Sequence, residues 1–177
     1  MFVTKFGEFI VSFSYQTSRL QINEIISSNQ ESDFLVSIIE VLTPKVVTNL
    51  PPYFQNVNTI SLAQEWLETI ISDGRLFTVN LVDDCNTVGF VFLSTENNGD
   101  THIGYLLGEI NWGKGFATEL LKGLIKFLES EARITRLIAG VAKENFVSIK
   151  LLNKLGFIHN SSEPNGTMFF EYLFSQT

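Results

Sequence analysis

The sequence predicts a mixed α+β fold, in which a mostly antiparallel sheet is flanked by helices. The first observation is a strand pattern followed by two helical patterns. The second is a run of three short apolar strands with hairpin connections, and the third is a closing series of helix, strand, helix and hairpin. Helices that pack beside an antiparallel meander are typical of α+β layers.

The first predicted elements are one strand and two helices. Residues 18–25 alternate apolar and polar side chains, as expected of a half-buried strand. Residues 32–42 and 61–72 carry apolar side chains at helical spacing, and a proline and a glycine follow their ends. Two helices are therefore expected before the meander.

The meander and the elements after it follow from the same patterns. Strands are predicted at residues 75–82, 88–94 and 101–107, because the short polar connections between them suit hairpin turns. The remaining periodicity predicts a helix at about 114–131, a strand at 136–142, a helix at 148–155 and a final strand pair at 157–161 and 167–174.

Length and composition limit the class of protein. At 177 residues, with 45% hydrophobic and 18% charged residues, the chain fits one domain, residues 1–177. A net charge of −7 and a pI near 4.8 argue against nucleic acid as a partner, because that needs clustered Lys and Arg. The single Cys85 and the lack of a signal-peptide core or a membrane-length apolar run predict a cytoplasmic protein without a membrane partner.

Residues 112–119 read Trp-Gly-Lys-Gly-Phe-Ala-Thr-Glu and lie between a predicted strand and an amphipathic helix. Gly113, Gly115 and Ala117 let a ligand approach the backbone, and free amides at the start of a helix bind anions. The stretch therefore indicates either a site for a phosphate-bearing ligand or a plain glycine-rich turn into the helix.

Residues 108–114 also fit the G-x-x-x-x-G-K part of a P-loop. The next residue is Gly115, where a nucleotide hydrolase needs Ser or Thr for its magnesium ion. A P-loop also belongs to a parallel βαβ core, whereas the preceding strands are predicted to be antiparallel. ATP hydrolysis is therefore the weaker interpretation, and no metal ligand is predicted.

This turn, together with the helical stretch at residues 145–157 that ends in Gly-Phe, resembles the GNAT superfamily, the Gcn5-related N-acetyltransferases. The family's pyrophosphate signature is Gln or Arg, two residues, Gly, one residue, then Gly or Ala. It maps to Trp112, Gly115 and Ala117, and Trp112 departs from it. The turn is similar to the branch of the RimJ/RimL-type ribosomal-protein N-terminal acetyltransferases, and the resemblance covers about residues 17–174.

The resemblance implies a GNAT-like fold with a splayed pair of parallel strands where acetyl-CoA, the acetyl-donor substrate, binds. It implies that Tyr105, Leu106 and Leu107 hold the pantetheine through their backbone while their side chains belong to the core. It further implies that Asn145 contacts CoA, although an N-cap of its helix is an equal interpretation. The residues implied at the pyrophosphate are Trp112, Gly113, Lys114, Gly115, Phe116 and Ala117.

The group that serves the thiolate is predicted from the same resemblance. Many GNAT enzymes carry a Tyr that protonates the departing thiolate, and Leu152 stands at that position here. Ser148, one helical turn earlier, resembles the Ser of the RimJ/RimL-like branch, so it is predicted either to serve the thiolate or to be only a capping residue. The general base is predicted from position in the chain and not from the resemblance: Glu163 near the last hairpin is the first candidate, with Glu171 and His102 as alternatives, and each can also be only a surface group.

The resemblance implies transfer of an acetyl group from acetyl-CoA to a primary amine by direct attack in a ternary complex. A protein N-terminus is the acceptor that the nearest branch implies, and polyamines, amino acids and antibiotic amines are alternatives. A chain that binds acetyl-CoA without catalysis is a second interpretation, because the usual Tyr and Gln are replaced. Acceptor loops are expected near residues 49–58 and 161–165, in a monomer or homodimer.

Overall fold

The computed structural model describes residues 2–5, 8–11, 13–83, 86–131 and 133–174. Cys85, on which the prediction of a cytoplasmic protein partly depends, lies outside these residues. In the described ranges no helix has the length and apolar character needed to cross a membrane. The chain forms an eight-stranded sheet and a separate two-stranded sheet of β1 (Phe2–Lys5) and β2 (Glu8–Val11).

The large sheet has the strand order β3-β4-β5-β6-β7-β8-β10-β9. Its strands are β3 (Ser14–Gln16), β4 (Leu20–Ile25), β5 (Arg75–Leu81), β6 (Thr87–Thr95), β7 (Asp100–Leu107), β8 (Arg136–Ala142), β9 (Ile158–Ser162) and β10 (Thr167–Leu173). All neighbours are antiparallel except β7 and β8, which run parallel. The helices are α1 (Ser32–Val41), α2 (Ile60–Asp73), α3 (Phe116–Glu129) and α4 (Phe146–Lys154).

The mixed, mostly antiparallel fold class is confirmed, but the start of the sheet was predicted wrongly. The predicted first strand is β4, and it does not open the fold, because β1, β2 and β3 precede it. β3 is only three residues long and reads Ser-Tyr-Gln, too short to show a period. Its place depends on tertiary contacts, among them Tyr15, whose ring stacks on Phe127 of α3 at 5.0 Å between centroids.

Each face of the sheet is covered by two helices, which is why the strands are apolar on both sides. α1 and α2 pack on one face, and α3 and α4 on the other. Neighbouring residues of a strand point to opposite faces, so Leu106 packs with α1 and α2 whereas Leu107 packs with α3. Both side chains are buried, as the sequence predicts for core residues.

α3 lies close against the edge of the sheet formed by β3 and the start of β4. A Cβ at Gly123 would lie only 2.8 Å from Thr17 Cγ2 and 2.9 Å from Tyr15 Cε2, so this helical position has room only for glycine. The close approach brings the first turn of α3 to the residues between β3 and β4. The residues between β3 and β4 therefore lie beside the glycine-rich turn.

Candidate active site

The parallel strands β7 and β8 are paired at one end only. Their register runs from Asp100 opposite Arg136 to His102 opposite Ile138, and beyond it these two fully described strands are no longer paired. The rest of β7, residues 103–107, still pairs with β6 on its other side. The expected splayed pair is therefore confirmed, and it opens toward the glycine-rich turn.

An ion-pair network holds the closed end of this pair. Arg136 Nε donates to Asp100 Oδ1 at 2.9 Å, and Arg136 Nη1 donates to Glu171 Oε1 at 3.0 Å. The hydrogen bond from Arg136 holds the pKa of Asp100 below its usual value. Glu171 and His102, the two alternative bases, are thus both engaged at the closed end, because His102 Nε2 lies 2.9 Å from Glu96 Oε1.

The glycine-rich turn lies at the open end and leads directly into α3. Gly113 and Gly115 have φ values of 72° and 81°, a region that favours glycine, and Gly115 is the N-cap of α3 without a side chain to cap it. The amides of residues 113–118 donate to no other residue in the described part of the chain. Free amides at the positive end of a helix form an anion site, and a Cβ on Gly113 would meet no atom within 4 Å.

The connection from β7 through α3 to β8 corrects part of the argument against a P-loop. The strands before the turn are antiparallel as predicted, but β7 and β8 are parallel neighbours joined by α3. Topology alone therefore does not exclude that motif. Gly115, where the motif needs a hydroxyl for magnesium, is the remaining sequence observation against it.

Trp112, which replaces the usual Gln or Arg, fastens the turn to the sheet. Its indole Nε1 donates to the carbonyl of Leu107 at 2.7 Å. Lys45 Nζ lies 5.3 Å from the centre of the ring and 3.1 Å from Glu109 Oε2. Thr43 Oγ1 donates to Glu109 Oε1 at 2.7 Å, which is the largest cause of the lowered pKa of Glu109. The loop after α1 is thus tied to the turn.

Arg19 and Glu119 hold the other side of the turn. Arg19 Nε donates to Glu119 Oε2 at 2.7 Å, and Thr17 Oγ1 donates to Glu119 Oε1 at 2.6 Å. Arg19 Nη1 also reaches the carbonyl of Lys114 at 3.1 Å, and its guanidinium lies 4.5 Å from the ring centre of Phe116. These contacts connect the backbone of the turn to the strand edge.

α4 faces the splayed strands with its first turn. Asn145 is its N-cap, because its Oδ1 accepts a hydrogen bond from the amide of Ser148 at 3.2 Å. The cap is therefore Asn145 rather than the Ser148 hydroxyl, and a CoA contact of Asn145 stays a prediction. Ser148 is half-buried, whereas Leu152 is fully buried in the core, so the position that carries Tyr in many relatives is here an apolar packing position.

Glu163 lies in the turn between β9 and β10. It is exposed, and its Oε2 accepts from Asn165 Nδ2 at 2.9 Å. The same turn meets the segment between β8 and α4, because the Lys143 amide donates to the Gly166 carbonyl at 3.0 Å. Glu163 therefore belongs to the hairpin that borders the start of α4.

The acetyltransferase (GNAT) domain family matches residues 26–158 of the chain, which include both the splayed strands and the glycine-rich turn. This chain belongs to the GNAT acetyltransferase family. A curated relative of this GNAT domain is the uncharacterized N-acetyltransferase p20 of Bacillus licheniformis, which is 39% identical over 94 residues. That match covers 50% of this chain and 52% of p20, so the chain spans about half the length of the relative.

Solved structures share the fold of this GNAT domain. A GNAT-family acetyltransferase from Bacillus anthracis has a TM-score of 0.75 at 19% identity, over 91% of this chain and 98% of its own. The ribosomal L7/L12 alpha-N-protein acetyltransferase RimL, in complex with coenzyme A, also has a TM-score of 0.75, at 12% identity over 89% of this chain and 96% of its own. At these identities the likeness shows that the chain shares the fold of these enzymes.

Two groups around the turn of the GNAT domain were missed from the sequence. Arg19 and Glu119 are 100 residues apart, and single charges at such a separation show no pattern. Lys45 was missed for the same reason. In the described part of the chain, no group of three or more His, Cys, Asp or Glu side chains is arranged to hold a metal ion.

Glu119→Gln is expected to lower the stability of the GNAT domain at neutral pH. The variant removes the negative charge of Glu119 in the first turn of α3, whose carboxylate accepts hydrogen bonds from Thr17 and Arg19. Hydrogen bonds to charged groups contribute about 1 to 2 kcal/mol where one partner is half-exposed, so Tm should fall by roughly 2 to 8 °C. Glu129→Gln, at an exposed position near the other end of α3, should leave Tm nearly unchanged.

The hydrogen bonds that Glu119 accepts from Thr17 and Arg19 also predict how the stability of the domain depends on pH. Burial raises the pKa of Glu119, but the hydrogen bonds from Thr17 and Arg19 outweigh it, so the pKa lies below its usual value. Because the pKa of Glu119 is lower in the folded state than in the unfolded state, its ionised form stabilises the fold at pH values above the unfolded-state pKa of about 4.3. This stabilisation is lost as the pH falls through the folded-state pKa. The Tm difference between parent and Glu119→Gln should therefore shrink below about pH 4. A constant difference down to acid pH would contradict the role of this carboxylate.

Proposed function

We propose that this GNAT domain transfers the acetyl group of acetyl-CoA to a primary amine, by direct attack within a ternary complex. The observation that carries the proposal is the opening between β7 and β8 beyond His102 and Ile138, with the free amides of residues 113–118 at its open end. The unpaired side of β7 suits a pantetheine amide, and the start of α3 suits a pyrophosphate. The opening and the turn thus suit the pantetheine and the pyrophosphate of acetyl-CoA.

The chemistry needs few groups from the protein. The amine nitrogen forms a bond to the thioester carbon, negative charge develops on the carbonyl oxygen, and the carbon–sulfur bond breaks with its electron pair on sulfur. Amides of residues 103–107 that face the opening are suited to stabilise the oxygen. Ser148 delivers a proton to sulfur and regains a proton from solvent, while the proton that the amine loses passes to a base on the protein and from there to solvent. A thiol pKa near 8.5 makes this assistance moderate.

Glu163 is the proposed acceptor of the amine proton, directly or through water. Its carboxylate is exposed on the hairpin beside α4, so solvent reaches it. An exposed carboxylate is a weak base, which favours an acceptor that is partly uncharged at neutral pH. An α-amino group has a pKa of about 7.7 to 8.0, against about 10.4 for a lysine amine. This difference, together with the RimL-like fold, supports a protein N-terminus as the acceptor.

Binding of acetyl-CoA is the first test of the proposal. At 100 times the Kd, a ligand that binds only the folded state adds about 2.7 kcal/mol, which raises Tm by roughly 5 to 11 °C. Thermal melting with acetyl-CoA should show this rise without added magnesium. A saturating shift with ATP and magnesium but none with acetyl-CoA would instead favour the P-loop interpretation.

Turnover is the second test. Free CoA should be released with peptides that carry an unblocked N-terminus, and release should stop when the same peptides are N-acetylated beforehand. Polyamines, amino acids and aminoglycosides in the same screen decide between the acceptor classes. Tight binding of acetyl-CoA with no release for any amine would overturn the enzymatic proposal and support an inert acetyl-CoA-binding protein.

A further inference from the structure

Tyr105 has a buried hydroxyl that core packing does not explain. The residue lies on the part of β7 that is no longer paired with β8, and its ring packs in the core with α3 and α4. Its oxygen is buried and has no hydrogen bond of good geometry to any residue that the structure describes. Buried polar atoms almost always have a partner, so this exception needs a cause.

The group beside this hydroxyl is Ser148. Burial raises the pKa of Tyr105, and its interaction with the Ser148 side chain lowers it by a smaller amount, so the net pKa is above the ordinary value. Tyr105 therefore keeps its proton at neutral pH and is a hydrogen-bond donor. The two hydroxyls belong to β7 and to the first turn of α4, two elements that pack in the same core cluster.

We infer that Tyr105 is a positioning residue for Ser148, whose Oγ accepts a hydrogen bond from the Tyr105 hydroxyl and whose own proton is thereby directed at the departing sulfur. This inference rests on the proposed function, because it assigns a second group to the same proton path. The oxygen of Tyr105 is buried, and the proton is proposed to reach sulfur from Ser148, so Tyr105 is assigned as a positioning residue and not as a catalytic one.

The hydrogen-bonding capacity of a serine explains why the pair is needed. A hydroxyl has one proton and two acceptor lone pairs, and it rotates freely unless a neighbour holds it. With Tyr105 as a fixed donor, one lone pair of Ser148 is occupied and the serine proton points away from the tyrosine. A chain of two hydroxyls is also polarised, which strengthens the outer hydrogen bond. No proton leaves Tyr105 during the reaction.

The neighbouring groups on α4, a helix that the structure describes in full, do not supply a hydrogen-bond donor to the Ser148 hydroxyl, which leaves Tyr105 as the donor. The Ser148 amide is already bound to Asn145, so the backbone of α4 is fixed and only the side chain turns. Leu152, one turn further along α4, is fully buried and apolar. The second hydroxyl near Ser148 therefore comes from the strand rather than from the helix.

The first measurement uses Tyr105→Phe, which removes the hydroxyl and keeps the ring. We expect kcat to fall about tenfold, the effect of one hydrogen bond in the transition state, with the Kd for acetyl-CoA unchanged. Tyr15→Phe is the matched control, because Tyr15 has a part-buried hydroxyl that donates to the Leu120 carbonyl at 3.3 Å, at the edge of the sheet. That control should keep the kcat of the parent.

The deciding measurement is the double variant Tyr105→Phe with Ser148→Ala. If Tyr105 acts through Ser148, the kcat of the double variant equals that of Ser148→Ala alone, because one hydroxyl carries both effects. Losses that multiply, or an unchanged kcat in Tyr105→Phe, would overturn the inference while leaving the proposed function intact. A parent protein that binds acetyl-CoA but acetylates no amine would overturn both.

Discussion

Gly115→Val is expected to weaken acetyl-CoA binding by at least about 100-fold, which corresponds to ~2.7 kcal/mol. Gly115 has a φ of 81°, a conformation that costs a non-glycine residue about 1 to 2 kcal/mol and a β-branched residue more. A Cβ there would also lie 3.6 Å from Arg19 Nη2, on the turn proposed to hold the pyrophosphate. Calorimetric titration with acetyl-CoA measures the loss.

Gly166→Val separates the binding effect from general backbone strain. Gly166 has a φ of 90° on the final hairpin, and a Cβ there would meet only the flexible side chain of Lys143, at 3.3 Å. Both variants should be less stable than the parent, but only Gly115→Val should bind acetyl-CoA more weakly. If Gly115→Val stays folded and binds acetyl-CoA as tightly as the parent, the pyrophosphate lies elsewhere.

Ser148→Ala is expected to lower kcat by about 100-fold while the Kd for acetyl-CoA changes little. General acid catalysis contributes about 100-fold to 10,000-fold, and the low pKa of a thiol favours the smaller value. The loss should shrink above about pH 8.5, where the thiolate is stable without a proton. The rate is measured as CoA release under saturating substrates.

Stability measurements distinguish this effect from helix capping. Loss of a capping side chain costs about 1 kcal/mol, but the cap of α4 is Asn145, so Ser148→Ala should leave Tm nearly unchanged. Ser130→Ala, which removes a hydroxyl bound to the Phe127 carbonyl at 2.7 Å, serves as the control with unchanged kcat. A lowered Tm with an unchanged kcat in Ser148→Ala would assign the residue to structure.

The long elements were predictable because each packs one face against the core. α3 places Leu120, Leu124 and Leu128 in the core four residues apart, and this spacing is visible in the sequence. The start of the helix was not predicted accurately: α3 begins two residues later than predicted, because Gly115, with its positive φ, precedes it. β3 was missed because three residues contain no period.

The sequence by itself determined the order of the main helices and strands, the mixed sheet and the glycine-rich turn at the start of α3. These features depend on side-chain periodicity and on the backbone freedom of Gly113 and Gly115, which are local properties. Only the tertiary structure decided that Arg19 meets Glu119 and that Trp112 binds the Leu107 carbonyl. Such contacts join residues distant in the chain, and they arise from how layers pack, which no local pattern records.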